Sequence, residues 1–106
     1  MAYKIIHLEK ENDLNKVLKK QRKSKEQIKV LFVSLWDKWC VSLVKKLDKK
    51  YSKVDKGLPV YIVNSFTMPH SYVIFKSFSL PHLVSLNKDS VIKEDYLPNI
   101  YKTLRV

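Results

Sequence analysis

The chain has one cysteine, Cys40, and one glycine, Gly57, among 106 residues. A single cysteine excludes an internal disulfide framework. No apolar run approaches the roughly 18 residues that cross a bilayer, and the opening "MAYKIIHLEK" lacks the apolar core of a signal peptide. Acidic residues are also scarce, with 10 Asp and Glu against 21 Lys and Arg, for a formal net charge of +11. These absences point to one soluble cytoplasmic domain over residues 1–106, with no membrane segment.

What is present is ordinary core-forming material: 45% hydrophobic and 11% aromatic residues, enough to build a compact interior. The charge is concentrated in the first half, where residues 1–56 carry 16 Lys and Arg against 7 Asp and Glu. A field of this sign raises encounter rates with nucleic acid, anionic surfaces or acidic proteins, and it is equally the mark of a solvated lysine-rich surface.

Hydrophobic spacing sets out the elements. "YKIIHL" (3–8) reads as a strand, and "NDLNKVLKKQRKSKEQ" (12–27) as an amphipathic helix, with Leu14, Val17, Leu18 and Gln21 on one face. Its other faces carry Lys16, Lys19, Lys20, Arg22, Lys23 and Lys25, the candidate basic patch. "IKVLFVSLW" (28–36) is the near-continuous apolar run of a strand buried on both sides. From Cys40 the spacing becomes helical through Val44, Leu47, Tyr51 and Val54, and Gly57 is expected to close that helix. "LPVYIVNS" (58–65) restarts as a strand, and a less regular stretch follows, read as a short helix. "LPHLVSL" and "SVIKE" form a hairpin around Asn87 to Asp89. Leu97, Ile100, Tyr101 and Leu104 then line a last helix with Pro98 in its first turn. The order is βαβαβαββα. Early βαβ units need parallel pairing and the late hairpin is antiparallel, so an α/β fold with a mixed central sheet and helices on both faces is predicted.

This order, with Trp39-Cys40 where the second strand meets the second helix and Pro81 entering the next-to-last strand, resembles the thioredoxin family over nearly the whole chain. "WCVSL" stands where that family has Trp-Cys-x-x-Cys, Trp36 stands near its other tryptophan, Asn64 and Pro69 fall at its Asn-x-x-x-x-Pro, and "LPHLVSL" looks like the segment holding its cis-proline. The resemblance implies that Cys40, Trp39 and Pro81 form the active site. It also implies that Leu43 replaces the resolving cysteine and that Ser34 replaces a buried acid serving that cysteine. The dithiol cycle is then lost as a unit, and the family's glycines near Lys76 and Asp89 are missing too.

A thiol at a helix N-terminus meets unpaired N–H groups and the positive end of the dipole, with Lys38 and Lys45 near, so Cys40 is expected to be an exposed, low-pKa thiolate. The alternative, a cysteine packed as a small apolar side chain, stays open. A lone thiolate can attack a disulfide, and release then needs an external thiol such as glutathione. His82, next to Pro81, is a candidate modulator of the thiol. His7 and His70 have no matching partners, so no metal site is expected.

Three functions follow: monothiol mixed-disulfide or glutathione-linked chemistry, weak as a disulfide reductase; a non-catalytic module docking a protein segment in a groove of Trp36, Trp39, Cys40, Leu80 and Pro81; and a nucleic-acid accessory. The last is the least supported, because the basic first helix has no interleaved aromatics. Phe66, Met68, Tyr72, Phe75 and Phe78 are core, or a patch beside Cys40.

Overall fold

The computed structural model describes residues 3–23, 27–34, 36–54, 56–64, 80–87 and 90–106, except for the side chains of Glu11 and Arg22. Among these residues five strands and three helices follow in the order β1 (Tyr3–His7), α1 (Glu11–Lys23), β2 (Ile28–Val33), α2 (Lys38–Tyr51), β3 (Leu58–Asn64), β4 (His82–Asn87), β5 (Ser90–Asp95) and α3 (Asn99–Leu104). The short helix read between β3 and β4, Pro69, Lys76, His70, Asp89 and the five aromatic and methionine residues of that stretch lie outside the described residues, as does Lys25.

The strands form one mixed sheet in the order β1-β3-β2-β4-β5. β1 and β2 flank β3 in parallel, while β4 runs antiparallel to both β2 and β5. β2 is central, and all six of its residues are buried. Alternation divides them between two cores. Leu31 and Val33 join Cys40, Leu43, Val44 and Leu47 of α2 and Ile100 and Leu104 of α3 on one face. Ile28, Val30 and Phe32 face Leu14, Val17 and Leu18 of α1 on the other. Val30, Leu31, Phe32 and Val33 have no exposed surface, and burial of each such side chain is worth about 1.5–3 kcal/mol.

Two tyrosines fasten α3 to the rest. Tyr51 Oη donates to Leu104 O at 2.6 Å, Tyr3 Oη donates to Thr103 O at 3.0 Å, and the two rings meet edge-on at 5.6 Å. The Leu80–Pro81 and Leu97–Pro98 peptides are cis.

Gly57 does not close α2. The helix ends at Tyr51 with Ser52 as its right-handed C-cap, and no glycine has positive φ. Among the described residues the left-handed one is Arg105 (φ 56°), where the Val106 N–H donates to Tyr101 O at 3.1 Å and ends α3. α1 is described as far as Lys23, residues 24–26 of its predicted span lying outside the described residues, and α2 begins at Lys38, two before its predicted start. That shift matters for the site.

β2 also hides a polar feature that its apolar run conceals. Lys29 is 8% exposed, and its Nζ donates to Ser85 Oγ on β4 at 2.6 Å. Asp95, also buried, accepts from Thr103 Oγ1 at 3.0 Å and has Lys93 Nζ at 3.7 Å. Burial lowers the Lys29 pKa, the Asp95 charge opposes that shift and the Lys93 charge adds to it.

Candidate functional site

The chain leaves β2 at Val33, turns with the Asp37 N–H donating to Ser34 O at 3.0 Å, and enters α2. Asp37 is the N-cap. Its backbone is extended (φ −90°, ψ 124°), and its Oδ1 accepts from Trp39 N at 2.7 Å and from Cys40 N at 3.3 Å. An aspartate suits this position because it satisfies amide groups the helix leaves open and its charge complements the dipole. With α2 starting at Lys38, Cys40 is already inside the first turn, where its side chain turns toward the sheet.

Cys40 therefore differs from its sequence expectation. Its exposure is 0%, and it packs within the core that holds Leu43, Leu31 and Leu83. Burial pushes the thiol above its usual range, a backbone hydrogen bond from Ser34 pulls it down, and the Asp37 charge pushes it up again. Burial is the main cause of the reversal, and the cap adds to it. Amide groups expected to stabilise a thiolate are held by a carboxylate, whose charge opposes one. The exposed, activated thiolate is corrected to a buried, neutral thiol.

The other residues named from the sequence fall into separate places. Leu43 faces inward with no exposure, in the same core as Cys40. Ser34 is half-buried just past β2. Pro81 is buried, and Leu80 is partly buried against both cores.

His82 does not serve Cys40. Strand alternation places it with Val84 and Leu86 opposite Phe32, on the α1 face, whereas Leu83 shares the core of Cys40. Its ring stacks on Tyr96 at 4.6 Å, nearly parallel, and its Nε2 lies 3.2 Å from Glu94 Oε1. Burial lowers the His82 pKa, and the charge of Glu94 and its hydrogen bond partly restore it.

Lys38 and Lys45 lie on the outer side of α2. Lys38 Nζ lies over the Trp39 ring at 5.4 Å, and Lys45 lines a shallow depression of about 520 Å³ with Trp36, Lys38, Val41, Ser42 and Lys46. Trp36 is 82% exposed and Trp39 is 59% exposed. The predicted groove thus separates, with its cysteine and proline inside and both tryptophans outside among lysines.

The candidate basic patch on α1 presents Lys16, Lys19, Lys20 and Lys23 to solvent, on the opposite side of the sheet from α2. His7 Nε2 lies 2.8 Å from Asp48 Oδ1. Among the described residues no three His, Cys, Asp or Glu gather as metal ligands, and no helix is long and apolar enough to cross a membrane.

A mixed five-stranded sheet between α1 on one face and α2 and α3 on the other, with a cysteine in the first turn of α2, is the thioredoxin fold. Known structures agree. The chain is similar to a thioredoxin from Nicotiana alata (TM-score 0.78, 13% identity, covering 99% of this chain and 93% of that one). It is also similar to thioredoxin from Schistosoma mansoni (TM-score 0.74, 13% identity, 96% and 94% covered) and from Fasciola hepatica (TM-score 0.71, 13% identity, 94% and 96% covered). No family model and no curated protein matches the sequence.

Two features of the site were not anticipated. Asp37 is legible as a cap once α2 is begun two residues earlier, since an acidic residue just before a helical run is an N-terminus signal. The lysine and tryptophan depression has no such signal, because it depends on which way Trp36 leaves the turn.

Proposed function

We propose that this protein is a thioredoxin-fold docking module that works by binding and does not use Cys40 as a redox centre. Its partner is a protein segment bearing an apolar side chain beside acidic residues. The observation that carries this reading is the contrast at the head of α2, where Cys40 has no exposed surface while Trp36 and Trp39 stand out among Lys38, Lys45 and Lys46. Exposed tryptophans supply the large apolar contact that dominates protein interfaces, and the lysines select the charge of what surrounds it. Mixed-disulfide exchange with glutathione as releasing thiol is the reading displaced, because attack needs an accessible thiolate.

The test is binding of fluorescent acidic peptides containing one leucine or phenylalanine, compared among wild type, Cys40→Ser and Trp36→Ala. The expected result is unchanged affinity for Cys40→Ser and at least a tenfold loss for Trp36→Ala, on the order expected of an interface tryptophan. Unchanged affinity for Trp36→Ala, or a glutathione adduct that forms readily on native Cys40, would overturn the proposal.

A further inference from the structure

The outer face of α2 is unusual in its charge. Lys38, Lys45, Lys49 and Lys53 are exposed; at 3.6 residues per turn the first three share an arc of about 40° running along the helix for about 16 Å, and Lys53 lies in the turn just past its C-cap. Asp48, the one acidic residue of α2, lies off this arc and faces His7 at 2.8 Å. Lys46 sits over the Tyr101 ring at 5.0 Å, and Lys50 sits over Tyr51 and donates to Arg105 O. Among the described residues, Lys45, Lys49 and Lys53 have no carboxylate within ion-pair distance.

Like charges four residues apart oppose the helix that carries them. The pair Lys45 with Lys49 is therefore a standing repulsion, to which Lys53 adds just past the helix end, and a bound polyanion would relieve it. The row begins beside the depression lined by Trp36, Lys38, Val41, Ser42, Lys45 and Lys46, so an apolar anchor seated there leads straight onto it. Lys45 and Lys49 lie about 6 Å apart along the helix, and side chains on one face of an extended chain recur about every 6.6 Å. The row holds no arginine, the side chain whose planar fork suits phosphate. Its tryptophans stand at one end only, whereas single-strand binders place stacking platforms along the strand. Acidic polypeptide fits these features better than nucleic acid.

We infer that α2 is a track for an acidic polypeptide. The partner's apolar residue sits against Trp36, and the Asp or Glu residues on one face of its next several positions run along Lys45, Lys49 and Lys53. This inference rests on the docking reading of the Trp36 depression and gives that site a direction and a length.

The test uses the full chain and three probes: an octapeptide with one leucine followed by glutamate at alternate positions, a scrambled peptide of the same composition, and an oligothymidylate of matching length. Affinities are measured at low and near-physiological salt. Replacing Lys45, Lys49 and Lys53 together by glutamine should weaken the ordered peptide about tenfold, as three exposed ion pairs suggest, and flatten its salt dependence. The same change at Lys16, Lys19 and Lys20 on α1 removes equal charge and should leave the affinity unchanged. Equal losses from the two triple variants would overturn the track in favour of a general field effect, and tighter binding of the oligonucleotide would overturn its occupant. Loss on Trp36→Ala with full binding in the α2 triple variant would refute the track and spare the docking site. Loss in the triple variant with Trp36→Ala unaffected would refute the docking site instead.

Discussion

Asp37 performs two tasks that substitutions can separate. Its carboxylate accepts from Trp39 N at 2.7 Å and Cys40 N at 3.3 Å, and its charge opposes ionisation of Cys40. Asp37→Ala removes both. Loss of an N-cap costs about 0.5–2 kcal/mol, and the upper half of that range applies because the carboxylate serves two amides, one of them that of the fully buried Cys40. A loss of about 1–2 kcal/mol corresponds to a melting temperature lower by at least about 4 °C in a domain of this size. Asp37→Asn keeps an oxygen acceptor and removes only the charge, so its cost should stay below about 1 kcal/mol, the range of a charge–dipole interaction. Both variants should lower the Cys40 pKa relative to wild type. Neither should bring it below the usual thiol range, since burial is the largest influence and remains. Thermal unfolding followed by circular dichroism, together with the pH dependence of Cys40 alkylation, measures both quantities. Equal destabilisation by Asn and Ala would show that the charge, and not the cap, holds the start of α2. A thiol below the usual range in Asp37→Asn would refute burial as the governing cause.

Other predictions concern the sheet and the missing thiol. Because His82 is held neutral with its pKa below the ordinary 6.5, the unfolded chain binds more protons than the folded one as pH falls through 6.5 toward the folded value, and stability drops across that window. Glu94→Gln removes the influences that raise this pKa, so its urea midpoint should fall more steeply than wild type between pH about 7.5 and about 5.5; a shallower fall would contradict the pairing. Lys29 has a lowered pKa, so its burial penalty is fully present below the folded value and relieved as pH rises through that value toward 10.5. Lys29→Met should abolish the alkaline gain, read from denaturant unfolding as a function of pH. Leu43→Cys recreates a Cys-x-x-Cys spacing but removes a fully buried leucine; it should destabilise the fold by on the order of 2 kcal/mol and yield little insulin-disulfide reduction, since Cys40 stays enclosed.

Much of the architecture could be read from spacing because burial imposes it. β2 announces itself by six consecutive buried residues, and α2 by Leu43, Val44, Leu47 and Tyr51 recurring on one side. The chemistry of the site was harder to read, for local reasons. Starting α2 at Cys40 instead of Lys38 leaves Asp37 outside the helix and makes the thiol look exposed to free amides. Shifting the start by two residues puts a carboxylate on those amides and the sulfur in the core. His82 follows Pro81 in sequence, yet the two-residue period of a strand sends it to the α1 face, and only the pairing of β4 with β2 fixes which face that is. Lys29 looks like an edge charge until Ser85 and Asp95 are brought around it by strands more than fifty residues away.

The central claim is that Cys40 is closed and inactive in the folded protein while Trp36 and Trp39 face the partner. Its most direct test is the iodoacetamide alkylation rate of Cys40 as a function of pH, measured in the native protein and in urea-unfolded protein. The account predicts native alkylation at least about tenfold slower at every pH, with an inflection above that of the unfolded chain. A native rate equal to or faster than the unfolded one, with its inflection at lower pH, would reveal an activated thiolate and contradict the account.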